Sequence, residues 1–272
     1  MIESSAELQW LLEKVYQERG SDFREYKATT LTRRLGRRLR ARGLKTYVDY
    51  ARVLDQDPTE YDRLFNDLTI KVTSFFRDEV AFKALEEIVL PALIHRDTET
   101  QRCLRIWSAA CATGQETYSI AMLLLEILGQ DIERWDVTIL GTDIDTRVLD
   151  GAREGVFTPE AVKGIRPAWL ERYFIREGQS LRLRPSFRQL VTFEAHNLVS
   201  DPPYLDLDLV VCRNVLIYFA SPLQTQVLKG FYKALKDGGF LLLGKAEEPV
   251  GETKALFHCI DKKAKLFWKT LE

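Results

Sequence analysis

Leu104-Arg-Ile-Trp-Ser-Ala-Ala-Cys-Ala-Thr-Gly-Gln-Glu116 decides how this chain is read. Its first residues, 104–107, suit a buried strand, and a helical pattern runs over 116–128. Between them stand six small side chains followed by Gly114, which let a ligand come close to the backbone. The spacing departs from the GxGxxG fingerprint, so a nicotinamide dinucleotide is disfavoured. Glu116, at the start of the helix, would repel a pyrophosphate and instead suits a cationic group such as an amine or sulfonium.

Outward from this stretch, strands and helices alternate. A strand at 137–140 leads to a helix at 146–153, and a strand at 207–212 leads to a helix at 224–235 and a strand at 240–243. Such alternation predicts an α/β domain with a parallel sheet and crossover helices. Segments 257–260 and 265–269 read as antiparallel edge strands around the turn Asp261-Lys262-Lys263. Segments 173–184 and 190–193 read as short antiparallel strands inserted into the domain, with Leu181 and Leu183 alternating with Arg182 and Arg184. The second strand runs into Gly141-Thr-Asp-Ile-Asp145. An acid at that place commonly holds ribose hydroxyls, a role that falls to Asp143, while Asp145 better suits an N-cap. Together these features read as a domain binding S-adenosylmethionine (AdoMet).

The first 70 residues differ in kind. Helical patterns at 6–18, 32–42, 47–54 and 58–68 suit a small bundle. The second helix is unusual. From Lys27 to Lys45 there are eight basic residues and no acid, and Leu31, Leu35 and Leu39 form one apolar stripe. Arg33, Arg37 and Arg40 flank the stripe, with Arg34, Arg38 and Arg42 on the remaining polar surface. Six arginines of one sign repel one another unless an anion relieves them. The helix is therefore expected to dock an acidic protein or a phosphate; the plain alternative is a solvated basic face.

Composition narrows the classes. The 272 residues, at ~150 per domain, suggest one to two domains, and 46% hydrophobic residues suffice for a core. Net charge is −1, which argues against a general nucleic-acid coat. Four cysteines form no CxxC pair and three histidines are scattered, so no metal is expected. No apolar run approaches the ~18–20 residues of a membrane span, and residues 1–10 lack a signal-peptide pattern, so a cytoplasmic chain without membrane insertion is expected.

Four motifs in order, Thr73-Ser-Phe-Phe-Arg77, Ile106-Trp-Ser-Ala-Ala-Cys-Ala-Thr-Gly114, Thr142-Asp-Ile-Asp145 and Cys212-Arg-Asn-Val-Leu-Ile-Tyr-Phe219, resemble the CheR family of chemotaxis receptor glutamate O-methyltransferases. The resemblance implies an all-α domain at 1–70 carrying the basic receptor-docking helix. It further implies a class I (Rossmann-like) AdoMet-dependent methyltransferase domain at 71–272 with a small antiparallel β-subdomain, matched here to about 173–193. It places cofactor contacts at Thr73, Arg77, Glu116, Asp143, Asn197, Leu198, Arg213 and Asn214, and sets Arg77, Arg213 and Tyr218 around the transferred methyl and the substrate carboxylate. The implied product is S-adenosylhomocysteine, and the implied partners are glutamate-rich receptor helices met by a monomer, with no nucleic acid. Gln115, Lys71 and Lys245 depart from the family pattern. An RNA methyltransferase, or a non-catalytic AdoMet-binding signalling protein, would be the alternatives. Tyr218 could otherwise be a core aromatic, and Arg213 a structural ion pair.

Overall fold

The computed structural model describes residues 5–20, 22–69, 71–96 and 102–270. The chain divides into two compact units, Met1–Ile70 with Tyr218–Gln224, and Lys71–Ile217 with Thr225–Glu272.

The first unit holds α1 (Ser5–Arg19), α2 (Ala28–Ala41), α3 (Tyr47–Gln56) and α4 (Thr59–Leu68). Leu8, Leu11, Leu12 and Val15 of α1 meet Leu31, Leu35 and Leu39 of α2 in one apolar core, as their helical spacing requires. Thr46 caps α3 by accepting a hydrogen bond from Asp49 N. No helix among the described residues is long and apolar enough to cross a membrane.

In the second unit, α5 (Glu79–Ala84) passes through a wider turn, Leu85–Val89, into α6 (Leu90–Arg96). Residues 97–101 of the polar stretch that follows lie outside the described residues. Then come β1 (Cys103–Ala109), α7 (Gln115–Leu128), β2 (Asp136–Asp143), α8 (Thr146–Glu154) and β3 (Val156–Phe157). They are followed by α9 (Pro167–Tyr173), β4 (Phe174–Glu177), β5 (Ser180–Leu183), α10 (Pro185–Arg188) and β6 (Val191–Ala195). The rest comprises β7 (Leu207–Cys212), α11 (Ser221–Ala234), β8 (Leu235–Leu243), β9 (Phe257–Asp261) and β10 (Leu266–Lys269).

Seven strands form one sheet in the order β6-β2-β1-β7-β8-β10-β9. The first five are parallel, and β10 and β9 add antiparallel at one edge. The strand order reverses between β1 and β7, the place where open α/β sheets bind ligands beyond the strands' carboxyl ends. A second, three-stranded antiparallel sheet has the order β3-β5-β4.

One expected strand is corrected. Segment 190–193 is not part of the antiparallel insert: Val191–Ala195 pairs in parallel with β2 in the main sheet. The insert instead takes β3 as its third strand, so it reaches back to Val156. As the sheet's edge, β6 buries Val191 and Phe193 and exposes Thr192 and Glu194, and this alternation imitates a half-solvated antiparallel strand.

Candidate functional site

The loop after β1 is built by its small residues. Ala110 and Ala112 have φ of 59° and 51°, and Gly114 has φ of 85°. A Cβ at Gly114 would stand 2.8 Å from Ala152 Cβ and 2.9 Å from Phe193, so only glycine fits there. Ala112 N donates to Asp143 Oδ2 at 2.9 Å, and Asp145 N donates to Oδ1 at 3.0 Å. Asp143, at the end of β2, thus binds two loops while keeping acceptor capacity. Burial raises its carboxyl above the ordinary value, although the two backbone donors counter it. Asp145 takes the capping role, accepting from Arg147 N at 3.0 Å. Burial raises its carboxyl, but hydrogen bonds from Arg147 and Lys71 outweigh this and leave it lowered. Lys71, one of the departures from the family pattern, pairs with this cap at 2.5 Å. Gln115 is buried and accepts from the Thr113 hydroxyl at 2.7 Å, whereas Lys245 is exposed.

Glu116 is buried at the first turn of α7. Ser108 Oγ donates to its Oε1 at 2.9 Å, and Arg213 Nη1 donates to its Oε2 at 3.1 Å. Arg213 Nη2 donates to Asp78 Oδ2 at 2.6 Å and to the Arg77 carbonyl at 2.8 Å. The Arg213 side chain is 1% exposed, and its Nε is buried without a partner. The ion-pair alternative for Arg213 is therefore realised, yet one donor is left unmet.

The Ser-Phe-Phe-Arg motif is anchored by its aromatic pair. Phe75 packs edge-on against Phe157 and Phe174, and Phe76 against Phe82 and Trp169. Phe76 N donates to Ser119 Oγ of α7 at 3.1 Å. These anchors leave Arg77 half-buried, its Nη1 donating to the Val72 carbonyl at 2.8 Å, with Thr73 also half-buried.

Asn197 and Leu198 follow β6. Asn197 N donates to Asp201 Oδ2 at 2.8 Å, and its Oδ1 accepts from Val199 N at 2.9 Å. Asn214, at φ 63°, donates its N–H to Glu247 Oε2 at 2.9 Å. Gly244 N and Ile217 N also donate to Glu247, whose burial raises its carboxyl even so. Glu247 and Asp78 shape this region without having been assigned a role from sequence. The acidic pair Glu247-Glu248 shortly after the apolar run 240–243 is the signal that could have found Glu247.

Tyr218 groups with the first unit. It is half-buried, whereas the next residue, Phe219, is 2% exposed and packs edge-on against Tyr26. The core role thus belongs to Phe219.

The six arginines expected to dock a partner divide into two sets. Arg33, Arg37 and Arg40 are exposed on one face of α2. Arg34 is 5% exposed, Arg38 pairs with the fully buried Glu60, and Arg42 reaches Asp57 and Glu60. The expectation that all six wait for an external anion is corrected, because α4 and its entry supply anions for Arg38 and Arg42 within the bundle.

The small-residue loop, the carboxylates of Glu116 and Asp143 and the buried Arg213 thus all lie at the ends of β1, β2 and β7 or in the segments that follow them, beside the reversal of strand order. The description "CheR methyltransferase, SAM binding domain" matches residues 71–266, and "CheR methyltransferase, all-alpha domain" matches residues 6–69. The chain belongs to the CheR methyltransferase family. Chemotaxis protein methyltransferase 2 of Pseudomonas aeruginosa is 37% identical over 249 residues, covering 89% of this chain and 86% of that protein. The chemotaxis protein methyltransferase of Escherichia coli is 35% identical over 253 residues, covering 90% and 85%. An uncharacterized 104.1 kDa protein of Rhodobacter capsulatus is 37% identical over 227 residues, and this chain spans 24% of its length. As a CheR member, the second unit is a class I AdoMet-dependent methyltransferase domain and the first is the family's all-α domain.

Proposed function

We propose that this protein transfers the methyl group of AdoMet to glutamate side chains of chemoreceptors, giving glutamate methyl esters and S-adenosylhomocysteine. The observation that carries this reading is the gathering of Glu116, Asp143 and Arg213 at the carboxyl ends of β1, β2 and β7 within a CheR SAM-binding domain. The residues present fit the cofactor. Strained small residues leave the backbone bare, Asp143 retains acceptor capacity, and Arg213 Nε lacks a partner.

Bound AdoMet supplies a sulfonium methyl as electrophile. Asp143 would hold ribose hydroxyls, Glu116 would offer its carboxylate to a cationic group, and Thr73, Arg77, Asn197, Leu198, Arg213 and Asn214 would complete the contacts. The receptor glutamate, with an unperturbed pKa of about 4.3, is ionised at neutral pH and needs no general base. Catalysis is then alignment of the carboxylate with the methyl. Arg213 is committed to Glu116 and Asp78, so Arg77 steers the substrate carboxylate, and the Tyr218 hydroxyl fixes its orientation.

Arg33, Arg37 and Arg40 provide the docking face for glutamate-rich receptor helices, with the protein acting as a monomer in the cytoplasm. Internal pairing of Arg38 and Arg42 shrinks the basic surface available to RNA phosphates, which weighs against the nucleic-acid reading. Transfer of labelled methyl from AdoMet to receptor-rich membranes, giving a base-labile product, is the test. Label that enters RNA, or no transfer at all, would overturn it.

A further inference from the structure

Arg34 is a buried cation without a carboxylate hydrogen-bonded to it. Its Nη1 donates to the carbonyls of Asp67 at 2.5 Å and Leu68 at 3.2 Å, in the last turn of α4. Its Nε is buried with no partner, and burial depresses its pKa. Filling this space with methionine or leucine would avoid that desolvation cost. Arginine offers what they lack, namely a planar cation that grips two carbonyls and a ring face together.

The ring is that of Tyr218. The Arg34 guanidinium carbon lies 5.6 Å from its centroid, within the ~6 Å reach of a cation–π contact. The backbone of the same residue is held as well. Lys27 N, at the start of α2, donates to the Tyr218 carbonyl at 2.8 Å, and Ala220 N donates to the Glu25 carbonyl at 2.8 Å. Tyr26 and Phe219 pair as an antiparallel bridge with ring centroids 4.9 Å apart. A short ladder and one side chain of α2 thus restrain both the main chain and the ring of Tyr218, all within the first unit.

We propose that Arg34 is a positioning residue for methyl transfer, fixing the Tyr218 ring so that its hydroxyl is presented in one orientation. This rests on the reading of Tyr218 as a catalytic residue. It gives α2 two faces with separate duties: Arg33, Arg37 and Arg40 outward toward the receptor, and Arg34 inward toward Tyr218.

The test is a double-mutant cycle of Arg34→Met and Tyr218→Phe, assayed with labelled AdoMet and membranes from cells overproducing a cognate chemoreceptor. Arg34→Met is expected to lower kcat at least tenfold, with receptor KM and AdoMet affinity within twofold. In the Tyr218→Phe background the same change should cost less than twofold. With 3-fluorotyrosine at position 218, Arg34→Met should shift and broaden the 19F signal of the apoprotein. Where Arg34→Met does not fold, by circular dichroism, Arg34→Lys carries the same cycle. Equal losses in both backgrounds, or an unmoved fluorine signal, overturn the proposal while Tyr218→Phe remains impaired. Full activity of Tyr218→Phe alone overturns the catalytic reading of Tyr218 and this inference with it.

Discussion

The two units each contain an arginine paired with a buried glutamate, and the two clusters are finished differently. In the helical unit, Glu60 is 0% exposed and accepts from Arg38 Nε at 2.9 Å and Nη2 at 2.5 Å, and from the Tyr50 hydroxyl at 3.0 Å. Glu60 and Tyr50 lie on regular helices, and burial together with the Glu60 charge pushes the Tyr50 phenol up. In the methyltransferase unit, Arg213 bridges Glu116 and Asp78 but leaves Nε unmet. The backbone around it is strained: Phe76, Asp78, Ala110, Ala112 and Asn214 are five of the seven non-glycine residues with positive φ among the described residues. The first cluster is met by its own side chains on regular helices, whereas the second combines positive-φ backbone with a buried arginine Nε that nothing meets, as is also true of Arg34 Nε in the helical unit.

Arg213→Ala breaks the comparison most severely. It leaves Glu116 and Asp78 without their buried cation, a change worth about 3–5 kcal/mol. AdoMet affinity should fall at least a hundredfold by calorimetry, and methyl transfer at least a thousandfold. Retained affinity would make this cluster merely structural, like the other. Arg38→Met is the counterpart. It strips Glu60 of its main donor and should cost about 3 kcal/mol of stability in urea unfolding, while the AdoMet affinity of the folded protein stays within twofold.

A third expectation concerns acid. Burial raises the Asp143 carboxyl above its usual 3.8. In the role proposed for Asp143, ribose hydroxyls would donate to the ionised form, so affinity should be complete above the raised value and be lost as pH falls through it. AdoMet affinity should therefore drop at a higher pH than a free aspartate would dictate, and Asp143→Asn should flatten that profile at a lower level. The sign for stability is opposite. Between 3.8 and the raised value the apoprotein binds more protons folded than unfolded, so Asp143 makes it less stable as pH rises through that window. The smallest effect belongs to the exposed face. Arg37→Glu combined with Arg40→Glu should raise the receptor KM severalfold at low salt, with a difference that shrinks as salt screens it, and leave AdoMet affinity unchanged.

Sequence made the two units unequally legible. The stripe Leu31, Leu35, Leu39 located the apolar side of α2, because that side is set by helical period alone. The inward arginines were hidden, because their partners arrive from far along the chain: Arg38 meets Glu60 across 22 residues and Arg34 meets Asp67 across 33. In the other unit, the small residues at 108–114 and the acid ending β2 were visible locally, since ligand-binding loops concentrate at strand ends. Asp78 and Glu247 were not, because each acts by holding another loop and only the tertiary structure brings them to it. Val191–Ala195 misled for a physical reason: at the edge of a sheet, parallel pairing leaves the same alternation as an antiparallel hairpin.

The segment Tyr218–Gln224 belongs to the helical unit although it lies, in sequence, between β7 and the body of α11. The chain therefore passes between units three times, and the linker near residue 70 is only the first crossing. Grafting the helical unit of a relative onto this chain by splicing at that linker would pair a foreign bundle with a native 218–224 segment. The partners of Tyr218 and Phe219, namely Arg34, Lys27 and Tyr26, would come from the donor. An exchange of the helical unit must therefore carry both of its pieces, 1–70 and 218–224.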